Sequence, residues 1–290
     1  MGPAAGGCGL PAGSEAGDAD RSGTEGAHPE RVRAGRRRRA TAIGNACRRE
    51  SRRMTAADAW WSPWRTPDGA LILHVDLGAD REREERAFEL LDEVERARWN
   101  RFVVDGARRR FGLCRAALRV NLCERLGCSN EDLSFGYLEH GKPFAIVDGA
   151  PSDASFNVSH SGGHGLIGFA SQDGLGVDLE VRDPLRDFDG IGGRVYGPRE
   201  RRALSAAAGS EKAALFYRLW SLKEALIKAL GTGFSLNPAR FEVPLAVLEG
   251  ERSAMFRFPH LPSDPFWLED LGEARFAAAS AWRLDETPDP

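Results

Sequence analysis

The apolar pattern of the chain predicts a mixed α+β protein. Short apolar runs with β-branched members predict strands at 71–77, 134–138, 156–159, 166–170 and 175–181. Charged stretches with helical apolar spacing predict helices at 82–102 and 107–126. Two more helices are predicted at 198–208, where Pro198 fits the first turn, and at 212–230, where Gly231 fits the end. Further strands are predicted at 241–248, 253–258 and 275–283.

The order of these elements predicts two similar halves. The best internal boundary is the polar break at 171–174, which separates an N-terminal α+β subdomain at 54–172 from a C-terminal one at 173–290. Each half then holds helices and several strands. This arrangement favours a pseudo-twofold duplication, with a site in the cleft between the halves.

Residues 1–53 differ from the rest and read as a disordered tail. They contain eleven arginines and six acids, a net charge of +5, so the remainder of a chain of net charge −3 carries about −8. The tail is interpreted as a nucleic-acid-binding arm, as a transit peptide, or as non-structural sequence upstream of a start at Met54. The acidic remainder gives no reason to expect nucleic-acid binding.

The apolar windows and the cysteines argue against membrane, disulfide-rich and zinc-binding proteins. No window approaches the roughly 18 apolar residues of a membrane helix, so no membrane association is expected. Five cysteines without CxxC spacing favour neither a disulfide framework nor a zinc site, and a reducing, cytoplasmic location is expected.

Two carboxylates end the predicted strand at 175–181. Asp178 and Glu180 are two residues apart, so their side chains point to the same face of the strand. Two adjacent carboxylates repel each other unless a cation lies between them. The pattern fits a metal site or the ordinary polar alternation of a half-exposed strand.

The predicted helix at 212–230 carries a second acidic position. It has a stripe of leucines at 215, 219, 222, 226 and 230, and Trp220, Glu224 and Lys228 fall on the opposite face. Glu224 and Lys228 form either a solvated i,i+4 pair or part of a face that closes on another element. The tryptophan favours the second interpretation.

Smaller motifs add polar groups. Ser159 and His160 lie in Phe156-Asn157-Val158-Ser159-His160-Ser161, and Lys142 is presented by the turn Gly141-Lys142-Pro143. The glycines at 163–168 match a dinucleotide fingerprint by letter, but they lead into a strand rather than a helix, so this interpretation is rejected.

These motifs, in this order, resemble the Sfp-type 4′-phosphopantetheinyl transferases. The matching segments are Gly141–Pro143, Phe156–Ser161, Gly176–Glu180 and Trp220–Lys228. The resemblance implies an enzyme of the holo-[acyl-carrier-protein] synthase type, with two similar α+β halves. Such an enzyme moves 4′-phosphopantetheine from coenzyme A to a serine of an apo acyl or peptidyl carrier protein and releases 3′,5′-ADP, in fatty acid or secondary metabolite biosynthesis.

The resemblance also implies roles for individual residues. Asp178, Glu180 and Glu224 would hold Mg²⁺, and Glu224 and Lys228 would be catalytic. Coenzyme A would be bound by Arg98, Arg110, Lys142, Ser159, His160 and Lys228. A monomer is expected. Another Mg²⁺-dependent pyrophosphate or phosphodiester enzyme and an inactive carrier-binding homologue are the alternatives, and the sequence does not specify the carrier.

Overall fold

The structure is a computed structural model that describes residues 59–66, 70–171, 173–231, 236–261 and 264–284. The predicted tail at 1–53 lies outside these residues. The first half of the described chain contains β1 (Trp61–Arg65), β2 (Ala70–Asp76), α1 (Arg81–Leu90), α2 (Glu93–Arg101), α3 (Asp105–Leu126), β3 (Leu133–Tyr137), β4 (Pro143–Val147), β5 (Ala150–Pro151), β6 (Ser155–Ser161) and β7 (His164–Ala170).

The second half contains β8 (Leu175–Glu180), α4 (Phe188–Val195), α5 (Pro198–Ala206), α6 (Gly209–Leu230), a 3₁₀ turn (Pro238–Arg240), α7 (Leu245–Leu248), β9 (Ser253–Phe256), β10 (Phe266–Asp270) and β11 (Ala277–Arg283). The mixed α+β class is therefore confirmed.

Three strands of each half have the same order in their sheet, and a long helix follows the first of them. The N-terminal sheet has the order β1-β2-β7-β6 and the C-terminal sheet the order β8-β11-β10-β9, and neighbouring strands are antiparallel in both. In each sheet the strand that precedes the long helix pairs with the last strand of that half, which pairs with the strand before it. Strands β3, β4 and β5 form a separate small sheet.

The two long helices also end alike. Helices α3 and α6 have 22 residues each, and each ends at a glycine in the left-handed region, Gly127 at φ 66° and Gly231 at φ 77°. Glycine adopts this conformation without a steric penalty, which explains the sharp ends. The repeated order supports the predicted duplication, whereas the boundary at 172/173 remains a prediction.

The core lies in the layers between these elements. Helix α6 packs on one face of the C-terminal sheet, where Leu219, Leu222 and Leu226 meet Phe266 and Leu268. The other face of that sheet packs against the N-terminal sheet through a second apolar cluster of Ile72, Leu166, Val177, Leu179, Leu271, Phe276 and Ala278. Strand β8 is therefore buried along its whole length.

The single helix predicted at 82–102 is wrong, because the chain breaks it into α1 and α2. Leu91 is extended, and Asp92 caps α2 by accepting a hydrogen bond from the amide of Glu95 at 2.8 Å. The Glu95 side chain in turn accepts from the amide of Asp92 at 3.0 Å, which completes a capping box. An Asp–x–x–Glu pair inside a charged, periodic stretch was the overlooked signal.

The strand predicted at 241–248 is also wrong. Phe241 and Val243 are buried, but the amide of Val243 bonds to the Glu200 carboxylate at 2.8 Å instead of to a neighbouring strand. Pro244 precedes the short helix α7. The alternating burial here belongs to a loop that the Glu200 side chain holds in place. Five further elements were not predicted: β1, β4, β5, β10 and α4.

Candidate active site

Gly176 allows helix α6 to lie directly on strand β8. A β-carbon at this position would overlap the carbonyl oxygen of Ala225 and would lie 2.5 Å from the amide nitrogen of Ala229. Only a residue without a side chain permits this approach. The approach brings the Glu224–Lys228 turn of the helix to the carboxylates that follow Gly176 on the strand.

Three carboxylates are buried where the strand and the helix meet. Asp178, Glu180 and Glu224 are 2%, 7% and 8% exposed. This burial excludes the half-exposed strand and the solvated helix face as interpretations. The prediction that Asp178 and Glu180 share a face is confirmed, since Val177 and Leu179 point instead into the apolar cluster between the sheets.

Lys228 supplies the positive charge of this group. Its Nζ donates to Asp178 Oδ1 at 2.8 Å, to Ser159 Oγ at 3.1 Å and to the carbonyl of Val177 at 3.3 Å. The ammonium is thus held by Asp178 across the helix–strand contact. Although burial lowers the pKa of Lys228, the carboxylates of Asp178 and Glu224 raise it above its usual value overall.

Two of the three carboxylates have a pKa well above the usual value for a glutamate. Burial and then the charge of Asp178 raise the pKa of Glu180 to about 7, although the Ser161 hydrogen bond lowers it in part. The same two causes, opposed by Lys228, raise the pKa of Glu224 to about 7. Three carboxylates against one ammonium leave an excess of negative charge when all are ionised, and a protein interior accommodates that excess by taking up protons or a cation.

The chemistry of these donors fits a hard divalent cation. Asp178 Oδ2 is buried and has no hydrogen-bond partner among the described residues, so it is an oxygen that a cation would satisfy. Carboxylate oxygens are the ligands that Mg²⁺ prefers. In this arrangement Lys228 lies against Asp178, and no three potential ligands in the described ranges are close enough to hold a metal ion. Cation binding therefore requires at least one of these side chains to shift.

Ser159 joins the carboxylate group to the N-terminal sheet. Its hydroxyl donates to Asp178 Oδ1 at 3.0 Å and accepts from the amide of Leu179 at 3.2 Å as well as from Lys228. One donor and two acceptor positions are all that a serine hydroxyl has, so all are in use. A direct contact between Ser159 and coenzyme A, which remains a prediction, would have to replace one of these bonds.

The predicted site residue Lys142 lies near the C-terminal end of α6. Its Nζ is 2.7 Å from Asp173 Oδ1, and its Cδ lies 3.9 Å from the place of a β-carbon on Gly231. His160 lies within strand β6, opposite Gly165 of β7, because this strand continues past the predicted end at residue 159. Successive strand side chains alternate, so His160 points away from the face that Ser159 uses.

Arg98 lies on α2 and Arg110 on α3. The Arg98 guanidinium lies 4.8 Å from the ring centroid of Phe111, the residue after Arg110. Arg110 is half-buried, and its Nη1 lies 3.4 Å from the place of a β-carbon on Gly106. Their part in coenzyme A binding remains a prediction.

Comparison with known proteins decides the family. The model of the 4′-phosphopantetheinyl transferase superfamily matches residues 174–280, which include β8 and α6. A putative 4′-phosphopantetheinyl transferase of Synechocystis is 38% identical over 201 residues, which cover 69% of this chain and 72% of the relative. The chain belongs to the 4′-phosphopantetheinyl transferase superfamily.

Other relatives of the transferase carry the same description. The 4′-phosphopantetheinyl transferase HetI of Nostoc is 36% identical over 145 residues, which cover 50% of this chain and 61% of the relative. The 4′-phosphopantetheinyl transferase Sfp of Bacillus subtilis is 31% identical over 173 residues, which cover 60% and 75%. The resemblance to the Sfp type is thus confirmed.

The sequence patterns predicted no role for three other side chains of the transferase near strand β8: Asn157, Ser161 and Arg186. Ser161 donates to Glu180 Oε2 at 3.0 Å, and Asn157 accepts from the amide of Val177 at 2.9 Å. The positive charge of Arg186 lowers the pKa of Glu180 in part, and its guanidinium lies 5.6 Å from the ring centroid of Tyr217. The alternation Asn157-x-Ser159-x-Ser161 was a signal, but its partner strand could not be read from one sequence.

None of the helices in the described part of the chain combines the length and the apolarity that a bilayer crossing needs.

Proposed function

We propose that this transferase moves the 4′-phosphopantetheine group of coenzyme A to a serine of an apo acyl or peptidyl carrier protein and releases 3′,5′-ADP. The observation that carries the proposal is the contact of the partly buried Lys228 with the buried Asp178, beside Glu180 and Glu224. Family membership supports the phosphopantetheinyl transfer itself, and this group of charges suits the chemistry of a pyrophosphate.

Glu224 is the proposed acceptor of the serine proton. Its pKa is about 7 without a bound metal, near neutral pH, where a base is both ionised and able to hold a proton. A bound cation would lower this pKa, so the proton would go to a Glu224 oxygen that the cation does not bind. The serine hydroxyl gives its proton to Glu224, directly or through a water molecule, as its oxygen bonds to the β-phosphorus of coenzyme A. The bond from that phosphorus to the bridging oxygen breaks, and its electron pair leaves with 3′,5′-ADP.

Lys228 is the proposed partner of the pyrophosphate and of the leaving phosphate. Its partly buried ammonium is bonded to Asp178 in this arrangement, and it would move from that carboxylate to a phosphate oxygen, where it offsets the negative charge of the transition state. Asp178, Glu180 and Glu224 would hold Mg²⁺, which when bound offsets the negative charge of the pyrophosphate oxygens. Lys142, His160, Ser159, Arg110 and Arg98 are proposed to contact coenzyme A. Since one chain supplies all of these groups, a monomer suffices, and light scattering tests this.

The test of the proposed function is a transfer assay. The purified protein is incubated with coenzyme A, Mg²⁺ and several apo-carrier proteins, and intact mass is recorded. Each accepted carrier is expected to gain the mass of one phosphopantetheine group. No mass gain on any carrier would refute the proposal.

A matched pair of variants tests the role of Glu224. Glu224→Gln removes the proposed base and is expected to slow transfer by about 100-fold or more, as is typical for loss of a general base. Glu211→Gln changes an exposed glutamate on the same helix and should leave the rate unchanged. Equal rates for both variants would refute the role.

A further inference from the structure

Strands β6 and β8 belong to different sheets, and side chains join them. Asn157 Oδ1, Ser159 Oγ and Ser161 Oγ accept hydrogen bonds from the amides of Val177, Leu179 and Val181 at 2.9, 3.2 and 3.1 Å. Each pair is separated by 20 residues, so the two segments run side by side in one register. These alternate side chains of β6 thus accept the amide hydrogen bonds that backbone carbonyls accept between paired strands of one sheet.

The bond to the amide of Val181 fixes the direction of the second bond that Ser161 makes. A serine hydroxyl has a single proton. Because Ser161 Oγ accepts from this amide, its proton is free to point at Glu180 Oε2, which lies 3.0 Å away. Backbone contact between the strands therefore sets the orientation of a buried carboxylate, which would otherwise be able to rotate.

Ser161 differs from Ser159 in the number of groups that it holds. Ser159 contacts Asp178 and Lys228 as well as the backbone, so its loss would disturb two charged groups at once. Within the described residues, the Ser161 hydroxyl bonds to Glu180 and to the amide of Val181. A change at Ser161 consequently isolates the effect of holding Glu180.

We propose that Ser161 is a positioning residue that holds Glu180 in the orientation that binds the divalent cation. By fixing Oε2, Ser161 restricts where the second oxygen, Oε1, points. Partners that orient a ligating carboxylate commonly change metal affinity by about 10- to 100-fold when they are lost. The inference rests on the proposed function, since it assigns the cation site to Glu180, and it adds a residue of the N-terminal half to the determinants of that site.

The test compares two serine-to-alanine changes on one strand. Ser161→Ala removes the bond to Glu180. Ser155→Ala is the matched control, because Ser155 is also on β6, is 7% exposed, and its Oγ has no hydrogen-bond partner in the described part of the chain. Ser161→Thr keeps a hydroxyl at the test position. The dissociation constant for Mg²⁺ alone is measured by isothermal titration calorimetry, and the Mg²⁺ dependence of transfer is measured beside it.

The expected result is a weakening of Mg²⁺ binding by about 10- to 100-fold in Ser161→Ala, with little change in Ser155→Ala and recovery in Ser161→Thr. The Mg²⁺ concentration for half-maximal transfer should rise in parallel, and saturating Mg²⁺ should restore most of the rate. Because Mg²⁺ would also stabilise a loosened fold, urea unfolding without Mg²⁺ must first show that Ser161→Ala is folded at the concentrations used.

Two results would overturn the inference and leave the proposed function intact. One is a Ser161→Ala protein that binds Mg²⁺ as tightly as the parent protein while the parent transfers normally. The other is a Ser161→Thr protein that binds Mg²⁺ as weakly as Ser161→Ala. A parent protein that neither binds Mg²⁺ nor transfers would overturn both proposals together.

Discussion

Gly176 is the residue at which helix α6 comes closest to strand β8, and it offers a sharp test of the packing. A β-carbon here would overlap the backbone of the helix at Ala225 and Ala229. Gly176→Ala is therefore expected to lower the free energy of unfolding by about 1–3 kcal/mol or more, because backbone atoms cannot move aside as a flexible side chain can. Urea denaturation of the purified variant measures the loss.

A second glycine provides the control for this prediction. Gly193→Ala changes an exposed position in α4 where a β-carbon would meet nothing within 4 Å, so it should be neutral or slightly stabilising. Equal effects of the two changes would contradict the close helix–strand contact.

The pKa values of Glu180 and Glu224 predict how pH changes stability. Both carboxylates have a pKa of about 7 in the folded protein against a usual value of 4.5, so the folded state binds protons more tightly than the unfolded state. Their contribution to stability is complete below about pH 4.5 and is lost as pH rises through about 7. Between these values each group changes the free energy of unfolding by up to about 1.4 kcal/mol per pH unit.

Thermal or urea unfolding from pH 5 to pH 8, with and without Mg²⁺, checks this prediction. Glu224→Gln should show a shallower fall in stability with pH than the parent, and Mg²⁺ should stabilise the parent most at pH 8, where the carboxylates are ionised. A parent protein whose stability falls no more steeply than that of Glu224→Gln would show that Glu224 is not perturbed.

Single residues show how far the sequence predicted the site. Asp178 and Glu180 follow from the two-residue period of a strand, and Glu224 and Lys228 from the helical period, so their shared faces were predictable. The pairing of Lys228 with Asp178 instead of Glu224 was not, because it depends on how closely the helix approaches Gly176. The role of Ser161 depends on the register between two strands of different sheets, which no local period encodes.

At the scale of elements, side-chain hydrogen bonds from β6 to β8 connect the candidate active site to the N-terminal half. Asn157→Ala would leave the buried amide of Val177 without its partner, at an expected cost of about 1–3 kcal/mol in the free energy of unfolding. Hydrogen exchange should show faster exchange at the amides of Val177 and Leu179, while the amides of β10 and β11 stay protected.

The control for the strand contact is Asn121→Ala. Asn121 bonds to the carbonyl of Ala117 within its own helix and joins no two elements, so its loss should not change exchange in β8. Unchanged exchange at Val177 in Asn157→Ala would contradict the side-chain connection between the sheets.

The spacing of apolar residues predicted the long helices and the strands around the site. It missed segments in which that spacing shows no clear helical or strand period. Helix α6 was predicted at 212–230 and spans Gly209–Leu230, and β8 was predicted at 175–181 and spans Leu175–Glu180. The break at Asp92 and the loop after Phe241 were missed, because side-chain bonds from Glu95 and Glu200 decide them. Such bonds compete with the local pattern and leave little trace in it.

At the scale of the whole molecule, deleting residues 1–53 tests whether they take part in the transfer reaction. All proposed site residues lie between Arg98 and Lys228, so a chain that starts at Met54 keeps every one of them and is expected to transfer phosphopantetheine at a rate similar to that of the full-length chain. Side-by-side transfer assays on both proteins check this. A large loss of rate would show that the arginine-rich segment takes part in the reaction.

Strand β8 and helix α6 are proposed to hold one divalent cation between three carboxylates. The decisive test is a crystal structure of the protein with Mn²⁺ in place of Mg²⁺ and with coenzyme A, in which anomalous scattering locates the metal. The expected result is one metal ion bound by oxygens of Asp178, Glu180 and Glu224, at roughly 2.0–2.2 Å, and by the pyrophosphate, with the Lys228 ammonium moved from Asp178 to a phosphate oxygen. A metal ion bound elsewhere, with Lys228 still paired to Asp178, would contradict the claim.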